Sequence, residues 1–303
     1  MGGNTGMASG DFLVVSAPAK VNLNLIIKGR RADGYHELET LMTRISLADD
    51  LRVELRGSDA GVTLQCDAEG VPNDESNLAV RAARLFFAAA GVAGGCHIEL
   101  VKRIPAGGGL GGGSSDAAAV LRALNVMHGR PLELEKLSEL AAGLGSDVAF
   151  FLHDCQSALC TGRGEVITPQ PAREDFPRRC FLTHPGFGVP TPWAYKAYAE
   201  SSKNCEILEA EWANFSRNFP WGVMRNDLQA VVFKKYLWLP VVWEWLMGRC
   251  EVEAALMSGS GASVYGILHS RSDEAQLLKD FREIFGATVL AVCCDMGICS
   301  VAG

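Results

Sequence analysis

Residues 105–115 read Pro-Ala-Gly-Gly-Gly-Leu-Gly-Gly-Gly-Ser-Ser, with six glycines in the seven positions from Gly107 to Gly113. Glycine has no Cβ, so its N–H groups can lie against a ligand and its φ can turn positive. The apolar run Cys96–Val101 before the stretch has the character of a strand, and the alanine-rich run Asp116–His128 after it that of a helix. A helix opening behind such a loop contributes unpaired N–H donors and the positive end of its dipole. The combination is an anion site, and the usual anion is a nucleotide phosphate. A flexible linker would not normally sit between an apolar strand and an apolar helix.

Two better-known phosphate loops do not fit. The spacing Gly107-x-Gly109-x-x-Gly112 satisfies the dinucleotide pattern, but among so many glycines that match is nearly automatic. Such a fold also needs an acid ending a second strand about 20 residues on. Glu133 falls there, yet it lies in Arg130–Leu137, a helix start with Pro131 near its first turn. Gly108 and Gly113 have the Walker separation, but Ser114-Ser115 stands where Lys-Ser/Thr is required. The charge on the phosphates must therefore be met by a cation from elsewhere in the chain.

The 303-residue chain is long enough for two modest domains or one large one, and its 48% hydrophobic and 21% charged residues are those of a globular protein. A net charge of −7 argues against a protein that coats nucleic-acid phosphates. The ten cysteines form no Cys-x-x-Cys pair and no cluster with histidines, so no metal-ligand set is expected. Met1–Gly10 has no apolar leader segment and is expected to lack fixed structure. No run approaches the 18 or so apolar residues of a membrane span. These features suggest a cytoplasmic protein with reduced, mostly buried thiols and neither a nucleic-acid nor a membrane partner.

Alternation from Val21 to Leu25 predicts a half-buried strand, and Asp33-Gly34 a tight turn with an extended segment from Tyr35. Short strands are expected at 52–55 and 62–65, and helices at 77–90, 116–128 and 132–144, the last stopped by Gly145. Residues 183–192 suggest a loop, and 226–247 a tryptophan-rich helical stretch. Strand 253–257, turn 258–261 and a strand or helix over 262–268 follow, then helix 273–285 and strand 288–293. Strands and helices mixed without regular βαβ alternation indicate an α+β protein of two lobes.

Several side chains stand out against this background. Asp147 lies in Leu144-Gly145-Ser146-Asp147-Val148-Ala149-Phe150, an apolar setting costly for an acid unless it is paired, functional or a helix cap. Lys20 lies on or beside a strand, and Asn22, two residues on, shares its face. A lone lysine is usually a solvated surface residue, but this one could supply the cation the loop lacks. Tyr35-His36 offers an aromatic face and a ring nitrogen, the equipment for holding a nucleobase. Met257–Ala262 is a second small-residue turn, either structural or a backbone donor near phosphate.

The stretch Pro-x-Gly-Gly-Gly-Leu-Gly-Gly-Gly-Ser-Ser-Asp-Ala-Ala resembles the phosphate loop of the GHMP kinases, the superfamily of galactokinase, homoserine kinase, mevalonate kinase and phosphomevalonate kinase. Further segments resemble the branch whose substrate carries a diphosphocytidyl group: Pro18–Leu23, Gly29–Leu38, Asn77–Ala83, Leu144–Phe150, His184–Gly186, Pro190–Pro192, Asn226–Leu228 and Ser258–Ala262. The resemblance runs over about residues 13–268 and is patchy between 195 and 225. It implies a two-lobed α+β fold, with an ATP-binding N-terminal lobe over 11–160 and a ferredoxin-like C-terminal lobe over 161–303. It implies Mg²⁺-dependent transfer of phosphate from ATP to the 2-hydroxyl of 4-diphosphocytidyl-2-C-methyl-D-erythritol, by a monomer or weak homodimer with only small-molecule partners.

Site roles follow from the same resemblance. Asp147 would be the general base and Lys20 its neighbour. Pro105, Ala106, Gly107, Gly108, Gly109, Leu110, Gly111, Gly112, Gly113, Ser114 and Ser115 would cradle the ATP phosphates, with Asn77 near the adenine. Tyr35, His36 and Tyr195 would meet cytosine, Tyr35 and Tyr195 on opposite faces, and Asn22 the methylerythritol part. His184 and Thr191 complete the expected substrate contacts. Two departures stand out: the chain has Ala149 where the family often has proline, and no clear counterpart of the acid that helps hold magnesium in some members. A kinase of the superfamily with another alcohol substrate, or a catalytically silent nucleotide-binding relative, are the competing readings.

Overall fold

The computed structural model describes residues 8–201 and 215–298; the expectation of an unstructured start thus falls largely outside the described residues. The spine of the molecule is one strand. Residues His36–Arg56 run as a single 21-residue strand, β3, where separate shorter strands are expected from the sequence. It carries four neighbours. Along one side its first residues pair with β2 (Asn24–Arg30) and its later ones with β1 (Phe12–Asn22). Along the other side it pairs with β6 (Ser157–Gly162) and then β5 (Gly95–Val101). Strands β4 (Val62–Gln65), β7 (Val166–Pro169), β9 (Arg217–Phe219) and β10 (Gly222–Asn226) complete a nine-stranded sheet.

A second, antiparallel sheet of four strands has the order β11 (Val252–Met257), β12 (Val264–Leu268), β8 (Arg179–His184), β13 (Leu290–Asp295). In chain order these strands are interleaved with helices as β-α-β-β-α-β, the ferredoxin-like arrangement. The lobe boundary expected at 160/161 is corrected by the topology. It would cut β6, and β7 at 166–169 still hydrogen-bonds to β6 within the first sheet. Strands β9 and β10 return to that sheet still later, β10 pairing in parallel with β2.

The two faces of β1 explain how the site is mounted. Ala19, Val21 and Leu23 point into a core shared with the second sheet, against Leu182, Leu256 and the fully buried Tyr265. Tyr265 donates its hydroxyl to the Asn22 carbonyl, 2.8 Å away. The strand period then sends Lys20 and Asn22 to the opposite side. There, helices α1 (Leu78–Ala90), α2 (Gly112–Met127), α3 (Leu134–Leu144) and α4 (Val148–Leu152) form a second core with Val53, Ile98, Phe86 and Leu121. Helices α5 (Thr191–Ser201), α6 (Gln229–Lys235), α7 (Trp238–Met247) and α8 (Glu274–Phe285) enclose the third core, beside the small sheet. The helical stretch expected over 226–247 is thus broken in two at Tyr236-Leu237, and Asn226 still belongs to β10. Among the described residues no helix is long and apolar enough to cross a membrane, and the eight described cysteines are all free thiols, six of them buried.

Helix α4 is too short to be stable through its own hydrogen bonds. Its C-terminal carbonyls are instead met by Arg44 of β3, a residue with no exposed surface. The guanidinium donates to the carbonyls of Phe150 (3.3 Å), Phe151 (3.1 Å) and His153. A cation at the negative end of a helix is favourable in itself, and here it also satisfies buried acceptors. Arg44→Met keeps the volume but strands those carbonyls. We expect it to destabilise the protein by about 3 kcal/mol, seen as a lowered urea midpoint; a midpoint within error of wild type would mean that α4 is held by packing alone.

Candidate active site

The glycine loop departs from regular structure in a specific way. Gly107, Gly109 and Gly111 have φ of 67°, 74° and 71°, so every second residue is left-handed. At Gly109 no side chain could be accommodated in any case, because a Cβ would come 2.1 Å from the Ser258 carbonyl oxygen. A Cβ on Gly111 would meet the Phe151 ring at 3.0 Å and the Lys20 stem at 3.2 Å. Helix α2 begins at Gly112, four residues earlier than expected, so the last glycines and Ser114 form its first turn. Gly111 occupies the cap position and offers no side chain to the turn, which leaves its N–H groups available to an anion.

The loop is braced from behind by the second small-residue turn. Ser263 donates its N–H to the Gly108 carbonyl (3.1 Å), and the Ser258 hydroxyl donates to that of Gly109 (2.9 Å). Asn226 in turn holds the Met257 and Gly259 carbonyls at 2.7 and 2.8 Å. On the other side Lys20 donates its N–H to the Leu110 carbonyl at 2.9 Å. The loop is therefore fixed by both lobes.

Lys20 and Asp147, 127 positions apart in sequence, meet on the floor of the cleft with Nζ 3.3 Å from Oδ2. The lysine is buried and also donates to Asn22 Oδ1 at 2.7 Å, and Asn22 donates to Thr40 Oγ1 at 2.7 Å. Asp147 occupies the N-cap position of α4, yet its side chain makes no capping bond. Its carboxylate is 29% exposed, enough to reach an incoming hydroxyl. The cap explanation for this acid therefore does not account for where its side chain points.

All of these groups open into one cavity of about 1070 Å³, lined also by Asn77, Tyr35, His36, Thr191 and Tyr195. Asn77 caps α1, accepting from the Ala79 N–H at 2.9 Å and donating to the Pro72 carbonyl at 2.8 Å, so its amide is already engaged. At the far end His36 stacks on Tyr195, with centroids 5.3 Å apart and planes 23° from parallel. Tyr35 is largely exposed, its ring 5.0 Å from the Arg163 guanidinium. Burial, and then the charge of Arg30, hold His36 below the usual imidazole range. Burial, and then the charge of Asp147, push the Tyr195 phenol up.

Two expected site residues do not line this cavity. Ser115, the second serine of the loop, turns away because it sits one helical step beyond Ser114, on the face of α2 directed toward β1 and α4. His184, expected to touch substrate, lies behind the glycine loop, its ring 3.0 Å from where a Gly108 Cβ would be. Three residues not foreseen belong to the site or its support. Lys102 lies between Asp49 and Asp116, 2.8 Å from the latter, and it lines the cavity with Asp116. Its Nζ is 3.2 Å from the Cβ position of Gly112, beside the first turn of α2. Burial opposes the Lys102 charge, but Asp116 and Asp49 outweigh it and raise its pKa. Burial likewise pushes the Asp116 carboxyl up, against the pull of Lys102. The signal for this trio was a pair of acids between apolar residues, Leu47-Ala48-Asp49-Asp50-Leu51, and a lysine one residue past a strand.

The N-terminal domain model of the GHMP kinases matches residues 77–154, and the C-terminal model of the same family matches 207–288. The chain is 47% identical over 268 residues to the 4-diphosphocytidyl-2-C-methyl-D-erythritol kinase of Methylacidiphilum infernorum, covering 88% of this chain and 90% of that one. The enzyme of the same name from Ralstonia nicotianae is 41% identical, with 87% and 88% covered. A crystal structure of 4-(cytidine 5'-diphospho)-2C-methyl-D-erythritol kinase superposes with a TM-score of 0.74 at 36% identity, over 94% of this chain and all (100%) of that one. The chain belongs to the 4-diphosphocytidyl-2-C-methyl-D-erythritol kinase family of the GHMP kinases.

The position of His184 generates a pH prediction. Burial pushes the His184 imidazole down to about 4, well below the usual 6.5. Below pH 6.5 the unfolded chain binds a proton that the folded chain excludes. This contribution to stability is complete above pH 6.5 and is lost progressively as pH falls toward 4. Over that window it amounts to about 3 kcal/mol, at 1.36 kcal/mol per pKa unit. We expect the urea midpoint to fall between pH 6.5 and 4, and His184→Gln to flatten that fall. An unchanged slope in the variant would assign the acid sensitivity to other groups.

Proposed function

We propose that the chain transfers the γ-phosphoryl group of ATP to the 2-hydroxyl of 4-diphosphocytidyl-2-C-methyl-D-erythritol, a step of non-mevalonate isoprenoid precursor synthesis. One observation carries the reading. The Lys20–Asp147 pair opens into the same cavity as the N-terminus of α2, with the aromatic group of Tyr35, His36 and Tyr195 at its other end. Kinship with enzymes named for this substrate supports it.

In this reading the loop N–H groups and the first turn of α2 hold the phosphates of ATP. Asp147 accepts the proton of the substrate hydroxyl as that oxygen bonds to Pγ. The bond from Pγ to the β-phosphate oxygen breaks and ADP leaves with its electron pair. Lys20 offsets the negative charge around the transferring group, and its bond to Asn22 fixes where that charge sits. Among the described residues no group of three or more acidic, histidine or cysteine side chains could hold a metal alone. Mg²⁺ keeps waters and takes ligands from substrate phosphates, so it needs only one or two protein oxygens. Ser114 and Asp116, which retains a carboxyl oxygen without a hydrogen-bond partner, are the candidates beside the cradle. The bound ion would neutralise phosphate charge.

Asp147→Asn preserves shape and removes the base. We expect kcat to fall by about 10²- to 10⁴-fold with the KM for ATP little changed, and Lys20→Met to act on kcat in the same sense. A variant at Asp147 with most of its turnover would leave the acid a structural role, and faster turnover of mevalonate or homoserine would overturn the substrate assignment.

Tyr195→Ala tests the other end of the cavity. Loss of a stacking ring is worth about 1–3 kcal/mol per base, so the KM for the cytidyl substrate should rise by roughly 5- to 150-fold. The KM for ATP should stay near wild type. Equal losses for both substrates would mean that the ring only supports α5.

A further inference from the structure

The hairpin that joins β6 to β7 carries a guanidinium into the catalytic cavity, where Arg163 is a lining residue together with Tyr35, Ser146 and Asp147. Its guanidinium carbon lies 5.0 Å from the centre of the Tyr35 ring. The next residue, Gly164, lies against Ser146: a Cβ on it would come 3.6 Å from the Ser146 Cβ. Ser146 adjoins Asp147. Arg163 therefore stands between the aromatic end of the cavity and the acid on its floor.

The hairpin fixes the backbone of this residue. Glu165 accepts the Arg163 N–H at 2.5 Å, and Gly164 donates to the Thr161 carbonyl at 3.0 Å. The side chain is less committed. Its ion pair with Glu165 runs from Nε to Oε1 at 3.7 Å, too long for a hydrogen bond. That contact engages one side of the guanidinium and leaves the two terminal nitrogens for another partner. Asp33 is within reach of the Arg163 charge, but its carboxylate is already bonded by Arg31 and by the Tyr35 N–H, each at 3.1 Å. With 32% of its side chain exposed, Arg163 is open to a ligand in the cavity. The other cations of the lining are placed differently. Lys20 and Lys102 are paired with acids, Lys196 faces Glu200 at 4.0 Å along α5, and Arg30 acts on His36 at the ring end.

The next step rests on the function proposed above. In that substrate a diphosphate joins the cytidine to the methylerythritol, so its phosphates lie between the base and the reacting hydroxyl. With the base at the aromatic end and the hydroxyl at Asp147, the anionic link falls where Arg163 stands. A phosphate held there is repelled by the Asp147 carboxylate, and a nearby cation offsets that repulsion. We infer that Arg163 receives the diphosphate of the cytidyl substrate through its two terminal nitrogens, and so makes the cleft select a cytidine diphosphate ester over the bare nucleoside. A planar fork matches phosphate oxygens in a way that a lysine ammonium does not.

The test is calorimetry of CDP and of cytidine on the full chain, with a saturating non-hydrolysable ATP analogue keeping both out of the nucleotide site. Wild type should bind CDP about tenfold or more tightly than cytidine. Arg163→Met keeps the stem over Tyr35 and removes the fork. It should bring the two affinities together by weakening CDP alone, with Arg163→Lys between it and wild type. In turnover the KM for the cytidyl substrate should rise about tenfold in Arg163→Met, and the KM for ATP should not move. Wild type without a preference for CDP, a preference that survives in Arg163→Met, or equal loss of CDP and cytidine in that variant would overturn the inference; the last would mean that Arg163 only supports Tyr35. Failure of wild type to turn over the cytidyl substrate would instead remove the functional reading itself, and this inference with it.

Discussion

The close approach of Gly109 to the Ser258 carbonyl is the constraint on which the site depends. With 2.1 Å between that oxygen and the place a Cβ would occupy, only glycine allows the loop to lie so near the second turn. That proximity lets Ser258 and Ser263 hydrogen-bond the loop carbonyls. With its carbonyls held from behind, the loop hands a bare, uncapped helix start to the cleft. Asn226, in the strand that returns to the large sheet, fixes the bracing turn in its own place. A single backbone contact thus makes the placement of the glycine loop a property of both lobes together.

A second constraint is the mounting of charge. Each charged group of the site is tied to a rigid element by a neighbour of the opposite or complementary kind. Lys20 is held by Asn22 and Asp147, and Lys102 by Asp49 and Asp116. Helix α4, whose start carries Asp147, is tied down by Arg44. Buried charges with several partners lose little by reorganising during reaction, which is how preorganised electrostatics lowers a barrier. Both lysines come from outside the glycine loop, whose own sequence carries none.

Much of this was legible in the chain, and the reasons differ from place to place. The glycine run announced itself because no apolar core needs so many residues without side chains. The Lys20–Asn22 face followed from strand period alone. The meeting of Lys20 with Asp147 rested on family resemblance, since period carries no information across 127 positions. The helix start at Gly112 was missed because glycine has poor intrinsic helix propensity; the contacts around the loop override it. Polar Asp49 and Asp50 interrupt the apolar pattern of β3 and make it read as separate strands, and those same acids serve Lys102 and Arg103. The stacking of His36 on Tyr195 depends on how α5 meets the start of β3, a tertiary detail that local sequence does not encode.

The parallel pairing of β10 with β2 has a consequence for how the chain is made. Strand β2 is finished by residue 30, but the strand that covers its outer edge is not complete until residue 226. As the polypeptide leaves the ribosome, that edge stands with its N–H and C=O groups unpaired while most of the remaining chain is still being synthesised. Open edges of this kind are templates for pairing with other molecules, and pairings so distant along the chain form slowly. Lys28 and Arg30 near the end of β2 supply the charges that discourage such contacts. The nascent protein therefore carries this open edge through the middle of synthesis, until β10 arrives to pair with β2.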